Sequence, residues 1–275
     1  MKLGTKVVRY CVIALMISSC KPGGNQPVVP TDSSSSVTSE QLKPDAAEEM
    51  AKRKRNRELD IEDNIKHLND VLPDSARIDH FAMYQFLADT IPRDIFKLKH
   101  LRRLSVMLTY LEEIPEDICD LRELEDVEFD RNKLKSIKNI ACLTNLSRLS
   151  LIGNKLTTIE GLSNLKRLQY LNISNNNFSG GIDAELPENL EELMLGNSKL
   201  KSFPLSILNL NELITLHLAN NKELTHIPVG ISKMKKLKEI ILDGTSVPRD
   251  EVLKLAKLMP WCEIYKDESR QEKAI

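Results

Sequence analysis

The chain has 275 residues, of which 41 are Leu, 23 are Ile and 19 are Asn, while only 10 are Gly. Its formal net charge is -1, so it lacks the overall basic charge that is typical of nucleic-acid-binding proteins. The glycine spacing fits neither a dinucleotide-binding loop nor a phosphate-binding P-loop, which argues against nucleotide enzymes of those kinds. An excess of aliphatic residues together with Asn indicates an internal repeat.

The first twenty residues have the pattern of an export signal. A positively charged start precedes an apolar run over residues 10–17, far shorter than the ~20 residues that span a bilayer. The ending Ile17-Ser18-Ser19-Cys20 resembles the lipobox of bacterial lipoproteins. The resemblance implies that residues 1–19 are a lipoprotein signal peptide and that Cys20 is lipidated. The alternatives are an ordinary signal peptide and a buried N-terminal helix with a chance Cys.

The same resemblance implies a location. Removing residues 1–19 deletes three positive charges and no acid, so the net charge changes from -1 to -4. Such a protein gains nothing from an anionic membrane surface, so acyl chains on Cys20 would hold it there, at about 0.8 kcal/mol per buried CH₂. Residue 21 is Lys rather than Asp. By the sorting habit of enteric lipoproteins, this favours the outer membrane or cell surface over the inner membrane.

Two segments of different character precede the repeats. Residues 20–44 are rich in Pro, Gly and Ser without apolar periodicity, and we expect a flexible tether. Residues 45–77 begin with a capping pair and continue with apolar residues at helical spacing, which predicts an N-terminal capping helix. The basic cluster 52–57 could bind nucleic acid or lipid headgroups. Acids flank it on both sides, which favours a solvated helix face, and we expect no nucleic-acid partner.

Residues 78–247 repeat one template eight times, L-x-x-L-x-L-x-x-N-x-L-x-x-I-P-x-x-I-x-x-L-x-x, in steps of 22 to 24 residues. This pattern is similar to the leucine-rich repeat family. The resemblance implies an α/β solenoid, a right-handed horseshoe with a parallel sheet on its concave side. Its convex side would consist of irregular 3-10 and extended segments, with helical caps at both ends. We expect a C-terminal helix and closing strand in the cap 248–266, and a charged tail over 267–275.

Individual template positions have physical roles. The L-x-L pair forms a short strand whose alternate residues point inward. The Asn that follows lies where the chain turns, and its amide can bond the backbone groups that the turn leaves unpaired, so a ladder is expected from Asn132, Asn154, Asn176 and Asn221. Weaker substitutes at this position are Thr109, Ser198 and Thr245, and in the degenerate first repeat Phe86. Repeat five, with Gly180 and Gly181, resembles plant-type repeats.

Cys and His residues give no sign of catalysis or metal binding. No His lies at metal-ligand spacing from another His or Cys, and no nucleophile elbow occurs, so we expect no cofactor, no metal and no enzyme activity. Cys262 is expected to be a core thiol. Cys119 and Cys142 fall at the same position of adjacent repeats, which permits a disulfide. Because these repeats have 23 and 22 residues, we favour two separate thiols.

Function should lie in the residues that project from the concave sheet. Apolar groups ringed by charges occur around repeats two to five, which is typical of protein-binding patches. The predicted contact residues are Tyr84, Arg103, Met107, Asp126, Glu128, Asp130, Arg148, Ile152, Tyr170 and Asn172. The alternative is a solvated face whose Arg and Asp residues pair across strands. The sequence thus predicts a lipid-anchored, non-enzymatic leucine-rich repeat protein that binds another protein at the bacterial envelope. A structural subunit of an envelope assembly, or an adhesin or effector acting on host proteins or glycans, remains the alternative.

Overall fold

The computed structural model describes residues 79–84 and 89–267, and three further positions, Glu48, Lys52 and Arg55, which are helical. The predicted signal peptide, the tether and most of the N-terminal capping helix lie outside the described residues. So do Phe86 and the charged tail beyond Asp267.

Nine short strands form one parallel sheet in the order β1 to β9, each pairing with the next along the chain. Their bounds are β1 His80–Tyr84, β2 Arg103–Met107, β3 Asp126–Glu128, β4 Arg148–Ser150, β5 Tyr170–Asn172, β6 Glu192–Met194, β7 Thr215–His217, β8 Glu239–Ile241 and β9 Glu263–Tyr265. Equivalent template positions are paired throughout, as in Leu149 with Leu171 and Leu193. This register places every inward residue in one continuous aliphatic core, and it confirms the predicted repeat solenoid.

The return segments on the convex side contain six 3-10 helices among the described residues: η1 Arg93–Lys97, η2 Glu116–Asp120, η3 Lys138–Cys142, η4 Leu162–Asn164, η5 Leu205–Asn209 and η6 Val229–Lys233. Four of them follow directly after the proline of an I-P or F-P pair, as Pro115 precedes η2. Proline suits this place because its fixed φ is compatible with helix entry and its missing N–H needs no partner there.

Asparagine side chains hold the turns after β3, β4, β5 and β7. The carboxamide of Asn154 accepts from the N–H of Leu134 and donates to the carbonyls of Phe129 and Leu151, at 2.8 to 3.1 Å. The residue that precedes the ladder position has a left-handed backbone in seven successive repeats, with φ between 50° and 68°. Five of the seven are Gly or Asn, the residues that adopt this conformation most easily, and the exceptions are Leu108 and Arg131.

The last repeat is covered by helix α1, Arg249–Leu258, which buries Val252 and Leu255 against the core. Pro248 precedes the helix, and Asp250 and Glu251 lie in its first turn, where acids complement the helix dipole. Strand β9 follows and pairs with β8. Cys262, between the two, is a buried free thiol whose pKa is raised to about 12 by burial.

Cys119 and Cys142 form a disulfide, so the expectation of two separate thiols was wrong. Repeat three lacks one residue before its 3-10 helix, and consequently Cys119 is the fourth residue of η2 while Cys142 is the fifth of η3. This offset does not separate the thiols, because stacking of the two repeats leaves the Cα atoms 5.5 Å apart, within the range that a disulfide spans. The bond ties neighbouring repeats together on the convex side.

Candidate functional site

The concave face consists of three columns of side chains that run across the strands. One column starts His80, Arg103, Asp126, Arg148 and Tyr170, and the next starts Ala82, Ser105, Glu128, Ser150 and Asn172. The third, which starts Tyr84 and Met107, continues where the strands end. Each column has one side chain per repeat, so neighbours along a column are separated by about the 4.8 Å strand spacing.

Two carboxylates lie at the centre of this surface, Asp126 and Glu128 on β3. The hydroxyl of Ser105 donates to Glu128 at 2.8 Å. Among the described residues, neither carboxylate forms an ion pair with Arg103 or Arg148, although both arginines occupy adjacent strands. Burial, followed by repulsion from Glu128, raises the pKa of Asp126, and the arginines oppose the shift. The simple cross-strand pairing that would have neutralised this face is therefore not formed.

Asp130 does not project as predicted. It is 8% exposed, and one carboxylate oxygen accepts from the Ser150 hydroxyl at 2.7 Å and from the N–H of Ile152 at 2.9 Å. Burial raises the pKa of Asp130, while these two hydrogen bonds oppose the shift. The expected outward orientation of Asp130 is therefore wrong, because alternation along a strand cannot foresee that a carboxylate folds back onto the turn; its contact with a partner stays a prediction.

Arg148, Tyr170 and Asn172 form a connected group beside the acids. The guanidinium of Arg148 lies over the Tyr170 ring, 4.0 Å from its centroid. The amide of Asn172 donates to the Tyr170 hydroxyl at 3.1 Å and accepts from the N–H of Ser174 at 3.1 Å. These contacts restrict the rotamers of all three side chains, so the group offers a partner a preformed aromatic and cationic surface.

An apolar edge borders the acids where the first four strands end. Met107 and Ile152 are half-buried and Tyr84 is exposed, as predicted from the alternation. Leu108 and Tyr110, both exposed, extend the same edge, and the Lys133 ammonium lies 4.3 Å from the Tyr110 ring centroid. Sequence reasoning missed these two. The sequence did contain one indication of this surface. Leu108 occupies a turn position that holds Gly or Asn in five of seven repeats, and the turn itself gives no reason for a leucine there.

The far end of the concave face is acidic and was also missed. Glu192 on β6 and Glu239 on β8 belong to the first column, and Asp243 to the third. His217 lies among them, packed so closely over Gly196 that a Cβ at this glycine would meet its ring at 2.8 Å. Burial lowers the pKa of His217, and the charges of Asp243 and Glu239 oppose that shift.

Within residues 79–84 and 89–267, no group of three or more His, Cys, Asp or Glu side chains is arranged to hold a metal ion. The described helices include none with the length and apolar character that crossing a membrane requires. The concave surface places fixed charges beside aromatic and aliphatic groups, a composition that is common in protein interfaces.

Comparisons with known proteins agree with the architecture. Residues 80–194 match the family model described as a leucine-rich repeat region. Disease resistance protein RPS4B of Arabidopsis thaliana is 31% identical over 166 residues, which are 59% of this chain but only 14% of that protein.

Two internalins of Listeria monocytogenes have similar structures. Internalin C2 superimposes with a TM-score of 0.58 at 22% identity, covering 69% of this chain and 80% of that one. A second internalin gives 0.56 at 20% identity, covering 69% of this chain and 54% of that one. At such identity the likeness shows the fold alone. The repeat domain of this chain is therefore a leucine-rich repeat solenoid, the fold that its 22- to 24-residue spacing predicts.

Proposed function

We propose that this protein is a lipid-anchored, non-enzymatic binding protein of the bacterial cell envelope, and that it binds another protein through its concave face. The observation that carries the proposal is the unneutralised carboxylate pair Asp126 and Glu128. It lies between two arginines that do not pair with it and beside the apolar edge of Met107 and Ile152.

Unpaired charges on a rigid sheet favour recognition over stability. An exposed ion pair within the chain would contribute only about 0–1 kcal/mol, whereas a charge satisfied by a partner in a desolvated interface is worth more. Asp126 already bears part of the desolvation cost in the free protein, as its raised pKa indicates. A cationic group of a partner, placed between Asp126 and Glu128, would relieve this cost.

Export and anchoring are supported by the lipobox-like segment that ends at Cys20 and by the Cys119–Cys142 disulfide. Disulfides persist mainly in oxidising compartments, which include the bacterial periplasm and the cell surface. Metabolic labelling with an alkyne-tagged fatty acid should label the wild type and leave Cys20→Ala unlabelled and free of the membrane fraction. Absence of label on the wild type would refute the anchor.

Binding is tested by photo-crosslinking on intact cells, with a photoreactive amino acid at Met107. The double change Asp126→Lys and Glu128→Lys should abolish the crosslinked species, since loss of a buried interfacial charge pair costs about 2–5 kcal/mol. The matched control is Glu116→Lys with Asp117→Lys, which changes net charge equally on exposed convex residues. A concave site at β3 is contradicted if crosslinking persists in the Asp126→Lys, Glu128→Lys variant. It is also contradicted if the control variant loses crosslinking as well.

A further inference from the structure

The layer of 3-10 helices on the convex side is interrupted at repeat five. Strand β5 leads to β6 without such a helix, whereas repeats four and six carry η4 and η5. Repeat five crosses this side as the segment 182–186, in which exposure alternates. Ile182 and Leu186 are buried, Ala184 is half-buried, and Asp183 and Glu185 are exposed. The alternation gives the segment two opposite faces, and the chain bends between them at Ala184.

The backbone of the segment 182–186 is unpaired. In the described part of the chain, backbone hydrogen bonds end at the N–H of Gly181, which donates to Phe178, and resume at the N–H of Leu190, which donates to Pro187. No N–H or C=O group of residues 182–186 forms one. Backbone donors and acceptors that are free at the surface can bond to the main chain of an added peptide.

A cleft of about 820 Å³ lies against this segment, a volume in the range of ligand-binding clefts. Its lining includes the buried side chains of Phe203 and Pro204, and Leu205 at the rim. The hydroxyl oxygen of Ser206, also in the lining, is inaccessible to solvent and has no hydrogen-bond partner among the described residues. The cleft thus combines an apolar wall with an unsatisfied polar group.

Two exposed side chains beside the cleft are apolar at a position that is charged in the first two 3-10 helices. Leu205 and Val229 are the first residues of η5 and η6, and they are 67% and 61% exposed. The same position in η1 and η2 holds Arg93 and Glu116, which water solvates well. Large apolar side chains grouped at the surface indicate a place where another molecule packs.

The charges around the cleft are predominantly acidic once internal pairs are subtracted. Lys201 pairs with Glu223 at 3.7 Å and His226 with Glu251 at 2.9 Å. Within the described residues, no ion pair involves the lining acids Asp183, Glu185 and Glu188. Lys166 is a further cation of the lining, but the three acids outnumber it, so the field beside residues 182–186 favours a cationic partner.

We propose that this convex cleft binds a peptide segment of a partner protein through main-chain hydrogen bonds. The peptide main chain pairs with residues 182–186, and an aliphatic side chain of the peptide packs beside Phe203 and Leu205. Alternate Lys or Arg side chains of the peptide face Asp183 and Glu185. The site is on the opposite side of the sheet from the concave acids, and its existence does not depend on the concave function.

The test measures fluorescence anisotropy of a fluorescein-labelled peptide of about seven residues, the length of an ordinary strand, with purified full chain. Lysine alternates in this peptide with valine and leucine. We expect saturable binding that weakens about tenfold or more, equivalent to about 1.4 kcal/mol, when glutamate replaces lysine or when the peptide backbone is N-methylated. Hydrogen exchange should show that the amides of residues 182–186 become protected when the lysine peptide binds.

Variants locate the site. Leu205→Glu, and separately Asp183→Lys with Glu185→Lys, should each weaken binding about tenfold. The control Glu116→Lys, at the position of η2 that corresponds to Leu205, should leave it unchanged. Circular dichroism checks that each variant is folded. The proposal is overturned by absence of saturable binding, by equal affinity for the N-methylated peptide, or by binding without protection of residues 182–186.

Discussion

The Asn ladder makes a quantitative prediction at Asn221. This side chain is fully buried, and its oxygen accepts from the N–H groups of Ser198 and Leu200, both at 3.0 Å. Its amide nitrogen donates to the carbonyls of Leu195 and Leu218 at 2.9 and 2.7 Å. Asn221→Ala removes these four hydrogen bonds and a longer one to the carbonyl of Ala219 at 3.5 Å, and it leaves two N–H donors buried without partners.

The expected loss follows from these contacts. Each stranded buried donor costs about 1–3 kcal/mol, so the free energy of unfolding should fall by about 4 kcal/mol in Asn221→Ala. Asn221→Ser should lose slightly less, about 3 kcal/mol, because its single hydroxyl proton can still bond one carbonyl, as at Ser198, while the two N–H donors remain unpaired. Asn211→Ala, an exposed residue in a turn of the preceding repeat, should change stability by less than about 0.5 kcal/mol.

Urea denaturation followed by two probes measures these differences. Circular dichroism reports on the whole solenoid, and fluorescence of the single tryptophan, Trp261, reports on the C-terminal cap near repeat seven. If the two probes report the same transition, a single free energy of unfolding describes the domain. If their transitions are separated, groups of repeats unfold independently. A loss below about 1 kcal/mol in Asn221→Ala would refute the claim that the ladder amides stabilise the turns.

Three further predictions concern single features. Replacing Cys119 and Cys142 by Ser should lower stability by about 3 kcal/mol, since the bond closes a separation of 23 residues; identical urea midpoints with and without reductant would contradict this. His217 has a lowered pKa, so the unfolded chain binds the proton more readily, and wild-type stability should fall relative to His217→Gln as pH drops below about 6.5; a constant difference between about pH 7.5 and 5 would argue against it. Leu108→Asn should stabilise the chain by about 1 kcal/mol by relieving its left-handed backbone, and a lower thermal midpoint would mean that Leu108 packs usefully.

The period of the repeats determines most of the fold, and it could be read from the sequence because the same positions recur. Leu149 and Leu151 had to point inward, and Asn154 had to meet the turn, since each has an equivalent in the neighbouring repeats. The sequence does not predict how the packed backbone accommodates a repeat that is one residue longer or shorter than its neighbours. The missing residue before η3 was an argument against the Cys119–Cys142 bond, and only the packed backbone shows that the offset is tolerated.

The candidate site was predictable only in part, for a related reason. Alternation correctly assigns Asp126 and Glu128 to the concave side, but it treats Asp130 in the same way. Asp130 follows the strand rather than belonging to it, so its side chain can reach the N–H of Ile152 in the next turn. The pKa shifts depend on how much neighbouring repeats desolvate each group, which strand periodicity does not encode.

Binding specificity in a solenoid arises at positions that depart from the repeat, because the regular positions have the same structural role in every unit. One departure is the pair Asp126 and Glu128, whose neighbours on β2 and β4 do not neutralise it. The other is the segment 182–186, which replaces a 3-10 helix and leaves its backbone unpaired. The two lie on opposite sides of the sheet and share no contact residue, and effects at such separated sites usually add. Two partners could therefore be bound together, and substitutions at one site should leave affinity at the other unchanged.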